Sequence, residues 1–101
     1  MTRPVAREAT WTCRRQADLS LRHWPDGWVL FDEAQGKMQY LTLVSGELLA
    51  LLLHETPRAC WTAFELAKAL MDEVPSAEDI ASVETLAAAF ESMQVIERCQ
   101  A

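Results

Sequence analysis

The spacing of apolar residues changes character at about residue 42. Before it, Leu19, Leu21 and His23 alternate with Ser20, Arg22 and Trp24, the period of a strand with one buried face. The run Trp24-Pro25-Asp26-Gly27-Trp28 then predicts a tight hairpin, with proline presetting φ and Gly27 taking a positive φ. Trp28 to Phe31 reads as a second strand, Asp32 to Lys37 as a turn containing Gly36, and Met38 to Leu41 as a third strand. A three-stranded meander is the expected product. Trp24 and Trp28, which flank the first turn, are expected to form a cross-strand aromatic pair; a ligand platform is the alternative.

From Thr42 the period is helical. Thr42 is a good N-cap, and Val44, Leu48, Leu51 and Leu52 recur at helical spacing, with Leu49 and Leu53 widening the stripe. A helix apolar on nearly every side belongs at the centre of the molecule, so Leu48, Leu51 and Leu52 are the expected middle of the core. His54 to Pro57 ends it. Thr62 and Glu65 have capping-box spacing and open a helix carrying Phe64, Leu66, Ala67, Leu70 and Met71. Ser76 and Asp79 offer a second box, for a helix to about Met93 with Ile80, Val83, Leu86, Ala87, Phe90 and Met93 on one side. Val95-Ile96 closes the domain as a strand-like segment. The order β-β-β-α-α-α is an α+β fold, a three-stranded antiparallel meander followed by three helices, winged helix-turn-helix-like in arrangement. Residues 1–15 are expected to be a flexible basic arm and 16–98 the domain.

Charge narrows the range of partners. The chain has 101 residues, room for one domain, and a net charge of −6 that is unevenly spread. Residues 1–25 hold five basic and two acidic side chains, whereas residues 26–101 hold four and thirteen. The last predicted helix, 76–93, carries Glu78, Asp79, Glu84 and Glu91 and no Lys or Arg, so phosphate would repel it from a major groove. No apolar run approaches a membrane span, and MTRPVAREAT holds no apolar segment fit for a signal peptide. Cys13, Cys60 and Cys99 are an odd set with no CxxC, which fits free thiols in a reducing cytosol. Cys60, beside Trp61, is expected to pack between helices, while Cys13 and Cys99 lie near the ends.

Catalytic signatures are sparse. HExxH, P-loop, GxSxG and GxGxxG patterns are absent. His23, in a strand, and His54, at a helix end, have no partner pattern, and Asp32-Glu33 reads as a solvated turn rather than a general acid–base pair. No metal, organic cofactor or enzymatic activity is expected, since no Cys/His cluster has zinc spacing and no glycine-rich loop could cradle phosphate.

The segment SLRHWPDGWVLFDEAQGKMQYLTLVSGELLALLL, followed by a helical pair, resembles the PqqD-like family of small peptide-binding domains, the RiPP recognition elements. Within that family it is most similar to the branch found with HPr-kinase-related proteins. The parts that carry the likeness are Trp24, Asp26-Gly27, Trp28 to Phe31, Gly36, Met38 to Leu41 and Leu48 to Leu53. Thr42 stands where the wider family often has a capping Asn, and Glu47 where it often has an acid. The likeness spans residues 19–97, with Met38-Gln39 in place of the Thr-His that the branch tends to carry. It implies a domain that recognises the leader of a ribosomally made precursor and delivers it to a modifying enzyme, as in coenzyme PQQ synthesis. It also implies a site in the cleft between the third strand and the last helix, where the peptide adds a strand. Carried onto this chain, that site is Met38, Gln39, Tyr40 and Leu41 with Leu86, Phe90 and Met93. The residues themselves agree in part. A meander leaves an open edge, Met38 to Leu41 has few protective charges, and Gln39 and Tyr40 are expected to be exposed. Phe90 and Met93 suit an adaptable pocket or the core equally.

Three other readings use the same chain: a winged-helix regulator gripping DNA through Arg3 to Arg22, a scaffold subunit of an HPr-kinase-related system without a free peptide, and a thiol enzyme using Cys60. The expected partners are a leader peptide and a modifying enzyme or HPr-kinase-related protein, in the cytoplasm, with neither nucleic acid nor membrane. An exposed edge and a detachable arm also permit a homodimer by domain swapping.

Overall fold

The structure, a computed structural model, describes residues 9–54 and 60–99. In chain order the elements are β1 (Thr10–Thr12), a 3-10 turn (Gln16–Asp18), β2 (Leu19–Trp24), β3 (Gly27–Asp32), β4 (Lys37–Leu41), α1 (Leu43–His54), β5 (Trp61–Thr62), α2 (Ala63–Met71), α3 (Ala77–Ser92) and β6 (Glu97–Arg98). The class is the expected α+β, with an antiparallel sheet ordered β2-β3-β4 and three helices. A second small sheet, β5-β1-β6, ties residues from both ends of the chain together.

The helix starts follow the local chemistry. Thr42 Oγ1 accepts from the Ser45 N–H at 3.1 Å, and complete capping boxes join Thr62 to Glu65 and Ser76 to Asp79. α2 stops at Asp72, a left-handed residue whose N–H bonds the Lys68 carbonyl at 2.8 Å. α1 covers one face of the β2-β3-β4 sheet, and its Leu48, Leu49, Leu52 and Leu53 enter a core shared with Leu19, Leu30, Leu66, Ala87 and Phe90. Leu51, expected at the centre, is only half-buried, and Leu49 takes that place. The apolar stripe is so wide that its periodicity does not say which leucine faces inward.

Both expectations about the first hairpin are corrected. Trp24 pairs with Gly27 and His23 with Trp28, so the cross-strand ring contact is His23–Trp28, with centroids 4.6 Å apart. Gly27 does not take a positive φ; it is a buried residue of β3, where an added Cβ would sit 2.3 Å from the Leu41 carbonyl oxygen. Glycine is needed there for close backbone approach. Gly36, at φ 65°, does supply the left-handed residue of the second turn.

The N-terminal boundary also moves. Residues 10–15 belong to the folded body rather than to the expected arm: Trp11 and Cys13 are buried in the core. The Trp11 indole donates to Glu91 Oε1 at 3.0 Å, and Arg98 Nε lies 3.1 Å from the same oxygen. Residues 1–8 and 55–59, which include Arg3, Arg7 and the helix stop at Pro57, lie outside the described residues. At the other end, Val95 and Ile96 are buried, but the paired strand is Glu97–Arg98.

The cysteines depart furthest from expectation. Cys60 and Cys99 form a disulfide with Cα atoms 6.1 Å apart, linking the residue before β5 to the residue after β6. Cys60 is exposed rather than packed between helices. Cys13 is the free thiol; it is buried, it donates to the Val95 carbonyl, and its burial pushes its pKa up. The three-thiol argument for a reducing compartment therefore falls away. No described helix is long and apolar enough to cross a membrane.

Candidate functional site

β4 is an outer strand of its sheet, paired along one side with β3 from Trp28↔Leu41 to Asp32↔Lys37. Which of its backbone groups are free follows from hydrogen-bond parity. The Glu33 N–H donates to the Asp18 carbonyl at 2.9 Å, so Asp18 and Glu33 are a bonded pair just beyond Leu19↔Asp32. Antiparallel pairs alternate, so Phe31, Val29 and Gly27 point their backbone groups at β2, and Asp32, Leu30 and Trp28 point theirs at β4. It follows that Lys37, Gln39 and Leu41 are tied to β3, while the N–H and C=O of Met38 and Tyr40 face the open edge.

Side chains alternate on the perpendicular axis. Gln39 and Lys37 share a face with Leu30 and Asp32, the face toward the helices. There they meet Met93 and Val95 around a cleft of about 140 Å³ whose lining also includes Gln35. Met38 and Tyr40, 52% and 72% exposed, lie on the opposite, outer face with Val29 and Phe31. A second hollow, about 430 Å³ and lined by Trp24, Gly27, Val29, Tyr40 and Leu41 among others, opens at the Leu41 end of the edge strand, beside the turn between β2 and β3.

An ion pair fixes one end of the cleft. Arg15 Nη2 bonds Asp32 Oδ1, and Arg15 Nη1 donates to the Gln94 carbonyl at 2.7 Å, linking the segment after β1, the end of β3 and the end of α3. The Arg15 hydrogen bond holds the Asp32 carboxyl below the usual carboxylate range against the opposing effect of burial, and the Gln35 N–H adds to it. Asp32 is thus a buried, paired carboxylate and not part of a solvated turn. Only Glu33 of that pair is exposed.

Of the residues named from sequence, the structure brings Gln39 and Met93 together in the cleft and leaves Met38 and Tyr40 exposed on the outer face. Leu41 is half-buried against the core. Leu86 is half-buried against the core as well and does not line the cleft, and Phe90, 3% exposed, lies within the core. Sequence reasoning missed Lys37, Gln35, Asp32 and Val95 as cleft residues. Lys37 and Asp32 could have been found from the hairpin register alone, since a four-residue turn places them opposite each other; Val95 could not, because its approach depends on how α3 ends. His23 and His54 are exposed. Among the described residues no three His, Cys, Asp or Glu side chains are grouped to hold a metal.

No protein-family model matches this sequence, and no curated protein does either. The chain is similar in structure to TbiB1, solved in complex with the TbiA(beta) leader peptide, with a TM-score of 0.64 and 15% identity over 89% of this chain and 99% of that one. At that identity the likeness speaks to the backbone: this α+β domain shares its fold with a leader-peptide-binding protein.

Proposed function

We propose that this chain is a non-catalytic adaptor that takes up an extended leader segment of a ribosomally made precursor by strand addition to β4 and presents it to a modifying enzyme. The observation that carries this reading is the free edge at Met38 and Tyr40, lying directly beside the cleft between β4 and the end of α3. The fold shared with TbiB1 supports it. Main-chain bonds at Met38 and Tyr40 supply affinity, and the side chains around Gln39 and Met93 supply selectivity. On this reading the chain is a PqqD-like recognition element of the HPr-kinase-related branch, and its enzyme partner is an HPr-kinase-related or other modifying protein.

A precursor leaving the ribosome is met in the cytoplasm, where the Cys60–Cys99 bond has to persist against a reducing thiol pool. A second copy pairing through the same edge would compete with the peptide. The test is a titration of isotope-labelled protein, at concentrations where it sediments as a monomer, with synthetic leaders of short precursors encoded beside its gene. Amide shifts at residues 38–41 and around Met93 are expected. Shifts confined to residues 1–15, with 38–41 silent, would remove the edge strand from the reading and favour the basic N-terminal segment.

A further inference from the structure

We infer that the peptide is read on both faces of the sheet, through apolar side chains laid beside Met38 and Tyr40 on the outer face and polar side chains that enter the cleft beside Lys37 and Gln39. The inference rests on strand addition to β4 and specifies the ligand that such addition would select.

The two faces differ sharply in chemistry. An antiparallel sheet with one packed face ordinarily turns polar residues to water on the other. On the far strand β2 the outer face follows that rule with Ser20 and Arg22, but on the edge strand it presents Met38 and Tyr40, beside a buried Val29 that stands apart from the main core. Exposed apolar side chains of this kind on an open edge mark a contact surface. The patch begins at the open edge itself, because Met38 and Tyr40 belong to the edge strand. The cleft face is smaller and polar at its mouth. Its floor is Leu30 and one wall is Met93, but Asp32 is already bonded to Arg15, which leaves Lys37, Gln35 and Gln39 to meet a ligand. Gln39 Nε2 lies 3.5 Å from the Tyr40 carbonyl, one of the acceptors facing the open edge. An incoming strand takes that acceptor and turns the Gln39 amide toward the ligand's side chain.

An added strand sends successive side chains to opposite faces. Its residues in one phase therefore neighbour Met38 and Tyr40, and those in the other phase meet the ammonium of Lys37 and the amides of Gln35 and Gln39. The ligand so defined is an extended segment with period-two patterning, aliphatic or aromatic residues alternating with Gln, Asn, Glu or Asp.

Two synthetic peptides of identical composition test this: one alternates Leu and Tyr with Gln and Glu, and the other groups the same residues into an apolar and a polar block. The alternating peptide is expected to shift the amides of Met38 to Leu41 and the Met38 methyl together, and to bind about tenfold more tightly than the blocked one. Tyr40→Ser, at a position 72% exposed, should abolish most of that preference while lowering the melting temperature little. Equal affinities for the two peptides, or edge amides that move while the Met38 methyl stays silent, would overturn two-face reading and leave strand addition standing. Silence of residues 38–41 with both peptides would overturn both. Protection of the Met38 and Tyr40 side chains only by an added protein partner would assign the outer face to that partner and also refute the inference.

Discussion

Two proline substitutions at neighbouring positions test the backbone parity on which the site is built. Tyr40 directs its N–H to the open edge, so Tyr40→Pro removes no bond of the β3–β4 ladder, and an edge position with an outward N–H is where a strand tolerates proline. Its stability should stay within about 1 kcal/mol of the parent. Leu41 directs its N–H to Trp28, and its side chain packs against the core, so Leu41→Pro loses a ladder bond and apolar contacts at once. The loss should be about 3 kcal/mol or more. For a domain of this size that is a fall in melting temperature of roughly 12 °C or more. Binding should follow the opposite order. Tyr40→Pro deletes a donor to the peptide, about 1 kcal/mol, and puts a ring methylene where the peptide carbonyl would sit, so the dissociation constant should rise by about fivefold at least. Tyr40→Ala, which keeps the N–H, separates the side chain from the backbone. Thermal unfolding followed by circular dichroism, paired with peptide titration of each variant, gives both quantities. If Tyr40→Pro unfolds as readily as Leu41→Pro, the parity is wrong. If it melts normally and still binds the peptide unchanged, β4 is not the docking edge.

Other expectations concern what holds the site in place. An alanine Cβ at Gly46 would lie 2.0 Å from the Trp28 ring, and the overpacking, up to about 3 kcal/mol, should exceed the gain of about 1 kcal/mol in helix propensity. Gly46→Ala should therefore destabilise, and Trp28→Leu in the same chain should recover part of the loss in denaturant titration; a stabilising Gly46→Ala would refute the packing. The Cys60–Cys99 bond closes a separation of 39 residues, for which the chain-entropy model gives about 4 kcal/mol, so reduction or Cys60→Ala should lower the melting temperature markedly. Native alkylation should spare all three cysteines, and labelling of Cys60 without reductant would show the bond absent. Asp32 and Glu91 both have carboxyl pKa values lowered in the folded state, by the Arg15 bond in one case and the Trp11 bond in the other. Their contribution is present above the unfolded values near pH 4 and is lost as pH falls through the lower folded ones. Melting temperature should thus decline on acidification below about pH 4, and Asp32→Asn should lower it at pH 7 while flattening that acid limb. An unchanged acid limb in Asp32→Asn would remove the ion pair from the account.

Local periods and caps were enough to define the β-β-β-α-α-α order, because strand alternation, capping boxes and the Gly36 turn each act within a few residues of chain. The same reading found β4 and its exposure at Gln39 and Tyr40, since hairpin succession makes the third strand an edge. It did not find β1, β5 or β6, whose two- and three-residue strands are held by partners distant in sequence rather than by any period of their own. Nor could it choose among the leucines of α1, where apolarity on nearly every side erases the signal that orients a helix. Phe90 looked as suitable for a pocket as for the core, and only the packing of α3 against α2 and the shared core buried it while leaving Met93 beside Gln39. Gly27 was assigned to a turn because φ is a local property, whereas its role is the approach of Leu41 on another strand. The pairing of Arg15 with Asp32 and of Cys60 with Cys99 likewise depends on distances between segments that sequence spacing does not encode. What is local in cause was written in the sequence; what depends on two remote segments meeting was decided by the tertiary structure.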